Sequence, residues 1–275
     1  MMASSPDWLL LITLMINSID FQLVTSLLQK AHLHWQAGQA DQAEQHCQHV
    51  LAMWPGQPDA LHLLALMAHA YGRLDQAIGF LKQAMMSPRI PATSVSDLAE
   101  MCRQKGNLSE AEFFARQAIA MAPDLLAAHS NLGIILQEAG KLEESLASLT
   151  KLQQLNPNSA QACNNLANTY LLLGKLEEAL QHYQQALDIM PDYTECYSNA
   201  AIAHFRMGRI QQAFSLTMQA IELSPDFIPA YGNLIDFNLA LSNIAAAHQA
   251  LTMLEGFAPD HPLTQQSRSK LSNRY

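Results

Sequence analysis

The chain has 275 residues, 49% of them hydrophobic and 14% charged, with a formal net charge of −9. That apolar content excludes wholesale disorder. The 15 Lys and Arg against 24 Asp and Glu argue against a nucleic-acid surface, which needs clustered positive charge.

At the N-terminus, the stretch from Trp8 to Ile16 is apolar apart from Thr13, far short of the ~20 residues that span a bilayer. Asp7 precedes it and the first basic residue is Lys30, whereas a secretory signal carries basic residues ahead of its apolar run. Ser5-Pro6-Asp7 reads instead as a helix start. Residues 1–23 are therefore expected to form an N-terminal capping helix or segment, with no membrane span and a cytoplasmic location. A signal or membrane-surface segment is the alternative, and the pattern that follows begins equally well from a start at Met15.

From there the chain repeats itself. Gly38, Gly72, Gly106, Gly140, Gly174 and Gly208 recur every 34 residues, with Ser242 in the seventh slot. Five residues beyond each lies a small residue: Ala43, Ala77, Ala111, Ser145, Ala179, Ala213 and Ala247. Seventeen beyond each comes Pro55, Arg89 (flanked by Pro88 and Pro91), Pro123, Pro157, Pro191, Pro225 and Pro259. Between Gly and Pro, segments such as 176–191 space their apolar residues three and four apart, as one buried helix face requires. Glycine ends the preceding helix because it takes a positive φ cheaply. Proline ends the next, lacking an N–H and clashing with the carbonyl a turn earlier. The small residues let two antiparallel helices approach. Each period is thus a helical hairpin whose apolar face must be covered by its neighbours. The entry to the third period, residues 87–97, holds two prolines and several poor helix formers, which predicts the loosest junction of the array. Beyond the last period, residues 262–275 carry Arg268, Lys270 and Arg274 and have one helix start. They suit a polar C-terminal cap or tail.

This pattern resembles the tetratricopeptide repeat over residues 24–261, with repeat starts at 24, 58, 92, 126, 160, 194 and 228. The family's fourth-position aromatic is present as Tyr197 and Tyr231 but replaced by His129 and Cys163. Its Leu-Gly pair is Leu132-Gly133, softened to Leu166-Ala167 and Ala200-Ala201. Tyr170 and Tyr183 fill later aromatic slots, and Ala84, Ala118, Ala186 and Ala220 take the late small position. The resemblance implies an all-α superhelical solenoid of about seven hairpins with terminal caps, whose first helices line a concave groove.

On that face stands a column at the sixth repeat position: Asn131, Asn165, Asn199 and Asn233. Asn164, Asn168, Ser130 and Ser198 add polar groups, and Ile134, Leu171, Ile202, Phe205 and Leu239 are candidate apolar docking residues. A side-chain amide both donates and accepts, so it can pair with a peptide backbone of any sequence. The alternative is a structural ladder that satisfies polar groups between neighbouring helices. The column, with strings such as residues 127–146, looks like the repeat arm of O-linked N-acetylglucosamine transferases, and residues 59–78 look like bacterial proteins related to them.

Chaperone-binding members of the family grip a carboxylate with Lys and Arg at fixed groove positions. Here the fifth positions are Leu28, His62, Ser96, Ser130, Asn164, Ser198 and Gly232, so that charge-assisted clamp is not expected. His32, His34, His46 and His49 cluster in the first period beside Cys47. They read as solvated or locally bonded rather than as a zinc site, which needs three or four convergent ligands. Cys47, Cys102, Cys163 and Cys196 show no CxxC pairing and read as reduced, half-buried thiols. Trp35 and Trp54 are expected to cement the first repeat against the N-terminal helix. Glu143-Glu144 and Glu177-Glu178 fall where acids favour a helix N-terminus. No nucleotide loop, nucleophile elbow or metalloprotease helix occurs. The expectation is a non-enzymatic scaffold without metal or cofactor that binds a protein or peptide segment. The alternative is the recognition arm of a glycosyltransferase system whose catalyst is a separate chain.

Overall fold

The structure is a computed structural model that describes residues 8–272, with side chains from residue 21 onward. Among the described residues there are fifteen helices and no strand. The first hairpins are α1 (Trp8–Gln36) with α2 (Ala40–Met53), α3 (Pro58–Ala70) with α4 (Leu74–Ala84), and α5 (Ala92–Gln104) with α6 (Leu108–Met121). Next come α7 (Leu126–Glu138) and α8 (Leu142–Leu155), α9 (Ala160–Leu172) and α10 (Leu176–Ile189), then α11 (Thr194–Arg206) and α12 (Ile210–Leu223). The chain ends in α13 (Ile228–Ala240), α14 (Ile244–Phe257) and α15 (Pro262–Ser272). Six first helices begin on the expected starts, at residues 58, 92, 126, 160, 194 and 228. The chain divides into two compact units, Met1–Asn131 and Leu132–Tyr275.

The landmarks work as their chemistry requires. All six turn glycines have φ between +71° and +82°, and Ser242 in the seventh slot takes φ +59°. In all seven turns the residue after the slot donates its N–H to the carbonyl five residues back, at 2.8–2.9 Å. This closes the preceding helix and satisfies one of its orphan carbonyls. At the other end, proline stands two residues past the last helical residue of α2, α6, α8, α10, α12 and α14. The intervening residue adopts a non-helical backbone, as a residue before proline must, while its own N–H still bonds four back. The small residue five past each turn is fully buried in every hairpin, from Ala43 to Ala247. Gly133 shows how tight these approaches are: a Cβ there would lie 2.4 Å from Leu149 Cδ2.

In unit 1, Val24, Leu27 and Ala31 of α1 pack with Ala43, Cys47 and Val50 of α2 and with Ala60, Leu63 and Leu64 of α3. In unit 2, Ala167, Leu171, Tyr183, Ala186, Cys196 and Ala200 form one cluster across α9, α10 and α11. A second unites α12, α13 and α14 with Leu271 of α15. A polar seam is built into this packing: Gln137 Nε2 donates to Asn165 O at 2.9 Å and Thr169 Oγ1 at 2.6 Å, and Ser145 Oγ donates to Gly133 O at 2.8 Å. Its members satisfy one another, which is what makes buried polar groups tolerable.

The structure adds detail to four expectations. Helix α1 runs unbroken from Trp8, so no helix boundary falls at residue 23; the packing of the 8–16 run and Arg274 lie outside the described side chains. The third-period entry shortens its neighbour: α4 has 11 residues where the other second helices have 14, yet α5 starts in register at Ala92. Trp35 is half-buried against the first cluster and meets Tyr71 edge-on, centroids 6.3 Å apart, whereas Trp54 is 41% exposed. The four thiols are free and buried, not half-buried. Burial pushes Cys47 and Cys196 up to about 12 and Cys102 to about 11, with Glu44, Glu195 and Glu110 adding to it, and raises Cys163 as well. Helix α15 begins 34 residues after α13, where the first helix of another period would stand. It buries Thr264, Ser267 and Leu271 and ties back through Arg268–Glu255 at 2.6 Å and Lys270–Asp236 at 2.7 Å.

Candidate functional site: the exposed face of the first helices

Within each unit a first helix packs against its own second helix and against neighbouring hairpins, so only a narrow stripe stays open. In unit 2 that stripe falls at repeat positions two, six, nine and thirteen, a four-three-four spacing along one helical face. On α11 these are Glu195, Asn199, Ile202 and Arg206, and on α13 Pro229, Asn233, Asp236 and Ala240, all at least partly exposed. On α9 they are Gln161, Asn168 and Leu172, with Asn165 more deeply set. In unit 1 the corresponding residues of α5 are Thr93, Asp97, Glu100 and Gln104.

The asparagine column lies along this stripe, and three of its four members, Asn131, Asn199 and Asn233, donate to the hairpin before. Asn233 Nδ2 donates to the carbonyl and the hydroxyl of Ser198, both at 2.9 Å. Asn199 Nδ2 donates to Asn164 Oδ1 at 3.3 Å. In unit 1, Asn131 Nδ2 donates to Ser96 O and Oγ at 3.0 and 3.1 Å. Each bond joins position six of one hairpin to position five of the one before it, forming a rung. His62 and Asp97 occupy the same two positions and bond Nε2–H to Oδ2 at 2.7 Å. Among the described residues the carbonyl oxygens of Asn199 and Asn233 have no protein partner. Asn168 is the converse: its Oδ1 accepts from Tyr183 Oη at 2.6 Å, leaving its Nδ2 open. Asn164 and Asn165 are buried, and among the described residues the Nδ2 of Asn165 has no hydrogen-bond partner.

The apolar candidates separate. Ile134, Ile202 and Phe205 are half-buried, and Phe205 stacks on Phe237 with centroids 4.2 Å apart. Leu171 and Leu239 are 7% and 5% exposed and belong to the core, so they offer no docking surface. On α9 and α13 position twelve turns inward because the neighbouring hairpin covers it, and position thirteen, about 100° further round, takes its place at the surface. Leu172, 51% exposed, and Arg206, whose Nη1 donates to Leu171 O at 3.2 Å, are the residues that sequence reasoning missed. Ser130 is half-buried and Ser198 buried.

The replaced fourth-position aromatic keeps its task. Tyr197 and Tyr231 donate their hydroxyls to the carbonyls of Pro191 and Pro225, at 3.0 and 2.9 Å. His129 Nε2 does the same to Pro123 O at 2.8 Å. In the first hairpin, His34 and His46 stack with centroids 5.2 Å apart; burial, then His34, Lys30 and His49, holds His46 below the usual histidine value. Among the described residues no three His, Cys, Asp or Glu side chains converge as a metal site would require.

Comparison with known proteins agrees with this architecture. Models of the tetratricopeptide repeat match residues 34–89, 124–192 and 158–226, more than half of the chain. The protein belongs to the tetratricopeptide repeat family. No curated protein matches the sequence. Among solved structures, a tetratricopeptide repeat protein from Parabacteroides merdae ATCC 43184 is 17% identical, with a TM-score of 0.77 over 92% of this chain and 100% of that one. YrrB, a TPR protein with an unusual peptide-binding site, is 18% identical, with a TM-score of 0.54 over 67% and 95%. The APC/C hetero-tetramer Cut9-Hcn1 gives 13% identity and a TM-score of 0.68 over 82% and 44%. Among the described residues no helix is long and apolar enough to cross a membrane.

Proposed function

We propose that the protein is a non-enzymatic, cytoplasmic scaffold that holds an extended segment of a partner protein against the first-helix face of α9, α11 and α13. The observation that carries this reading is the split of amide roles on that face. Asn233 places two donor bonds and Asn199 one on rungs, and both leave their carbonyl oxygens open among the described residues, whereas Asn168 accepts from Tyr183 and leaves its donors open. A peptide backbone offers both an N–H and a C=O at every residue, so such a face suits it whatever its side chains. Leu172 and Ile202 supply apolar contact between the amides. YrrB, similar in fold, has a peptide-binding site, which favours this use of the repeat. The likeness to glycosyltransferase arms is carried by the sequence strings alone.

A photo-crosslinking residue at Leu172 should capture a partner segment that the same residue at Gln219, exposed on α12, does not. Asn199→Ala with Asn233→Ala should weaken that capture about tenfold while the helical content stays the same. Equal capture from both positions, or capture indifferent to the double substitution, refutes the reading and leaves the column a ladder.

A further inference from the structure

Unit 1 contains a second recognition feature, away from the first-helix stripe. Between α2 and the α3–α4 turn lies a cleft of about 290 Å³, at the lower edge of the ~300–1,000 Å³ typical of small-molecule sites and suited to one side chain. Buried Leu64, Met67 and Ala68 form its floor, half-buried Phe80 and exposed Tyr71 its walls, and Asp41 and Glu44 of α2 its rim. The cleft lies beside a small residue at a repeat position that varies in size, from Ala68 and Cys102 to Tyr170. Ala68 is at the eleventh position, where hairpins four to six place Leu136, Tyr170 and His204. In the fifth hairpin the Tyr170 ring lies flat on His182, at the twenty-third position, with centroids 5.3 Å apart and planes 4° from parallel. Phe80 is at that twenty-third position in the second hairpin, and the small Ala68 leaves the space of the missing ring beside it.

The geometry points to the guanidinium of an arginine, carried by a partner protein, as the occupant of this cleft. The cleft has an aromatic face in Phe80, and guanidinium is the planar side-chain cation that stays charged at every working pH. The charged lining residues are Asp41, Glu44 and Arg73, a net negative set; among the described residues neither carboxylate has an ion-pair partner, and Glu44 takes one hydrogen bond, from Gln48 at 2.9 Å. The Tyr71 ring already supports such a group: the guanidinium of Arg73 sits 5.9 Å from its centroid, within cation–π range, rather than on either carboxylate. None of the lining residues is at positions two, six, nine or thirteen, so this site stands or falls apart from the first-helix reading.

The test uses the full chain and three capped tripeptides, Gly-Arg-Gly, Gly-Lys-Gly and Gly-citrulline-Gly, followed by amide chemical shifts at Tyr71, Gly72 and Phe80. The arginine peptide should give saturable shifts there, and citrulline, equal in shape but uncharged, should bind about tenfold more weakly. Lysine should fall between them. Ala68→Tyr should abolish the shifts by refilling the space. Should that variant fail to fold, Asp41→Asn with Glu44→Gln, both exposed, should lower arginine affinity about tenfold. Equal binding of citrulline and arginine, or affinity unchanged in the neutralised-rim variant, overturns the assignment.

Discussion

In unit 1 the rung from α3 to α5 is a histidine on a carboxylate, His62 to Asp97 at 2.7 Å. In unit 2 the rungs joining α9 to α11 and α11 to α13 are neutral, amide on amide and amide on serine. Both kinds connect the same two repeat positions over the same sequence offset. The spacing of the hairpins is therefore set elsewhere, by the buried small residues, the left-handed turns and the prolines, and the rung residue is free to vary in chemistry. What each unit presents to a partner follows from that freedom. Around its rung, unit 1 shows Asp97, Glu100 and Arg103, the last two paired at 2.7 Å, beside His69 bonded to Gln104 at 2.7 Å. Unit 2 shows amide oxygens, an amide donor, Leu172 and Ile202, and its one cation on α11, Arg206, is turned onto a backbone carbonyl.

The largest expected effect treats the units alike in kind. Burial raises the thiols of Cys47 and Cys102 in unit 1 and of Cys163 and Cys196 in unit 2. A raised folded-state pKa means that the native protein keeps protons the unfolded chain has released. Stability is then complete below the ordinary thiol value of 9.0 and is lost as pH rises toward about 12, by at most ~1.4 kcal/mol per thiol per pH unit. Unit 2 carries more: burial pushes the Tyr183 phenol far above its ordinary 10.0 and Tyr193 up to about 12. Calorimetry at increasing pH should show both units melting earlier above pH ~9, unit 2 the more steeply. A melting profile flat to pH ~11 would mean that the thiols are not sealed.

The rungs themselves come next. Asn233→Ala removes two hydrogen bonds to Ser198 and should cost on the order of 1 kcal/mol, since each is partly solvent-exposed and its net worth is modest. The exchange of His62→Ser with Asp97→Asn in unit 1 installs the pair already present between Ser96 and Asn131 one hairpin later. It should change urea stability by less than about 0.5 kcal/mol and leave the helices in place. A loss several times larger would show that unit 1 needs its ion-pair-capable rung for stability, and the geometric account of the offset would fail.

These features differ in how far they could be read from the chain alone. Helix starts and turns were legible because each rests on a residue with one dominant conformational property, proline before a first helix or glycine at positive φ. The column of Asn131, Asn199 and Asn233 was legible as a period, but not the direction of its bonds, because an amide offers both roles and the neighbour decides. Leu171 and Leu172 are indistinguishable by composition; only the hairpin that covers one of them assigns the other to the surface. His129 in a tyrosine slot reads as a departure until its Nε2 is found on the same proline carbonyl that tyrosine reaches in later hairpins.

The last effect lies at the seventh turn, where the repeat breaks its own rule. Ser242 has φ +59°, in the region where a Cβ crowds the following carbonyl at about 1–2 kcal/mol. Its six counterparts are glycines with nothing within 4 Å of an added Cβ, so the strain lies in the backbone and not in packing. Ser242→Gly relieves it but gives the unfolded chain more freedom, worth roughly 0.5–1 kcal/mol against the folded state. The two terms oppose each other and leave a net gain of a few tenths to about 1 kcal/mol. The reciprocal change, Gly72→Ser in unit 1, carries the opposite sign at a turn of the same geometry, φ +71°. Urea midpoints for the pair should therefore move in opposite directions by similar amounts. Movement in the same direction would show that the last turn draws stability from something other than its backbone, with α15 the nearest element to supply it.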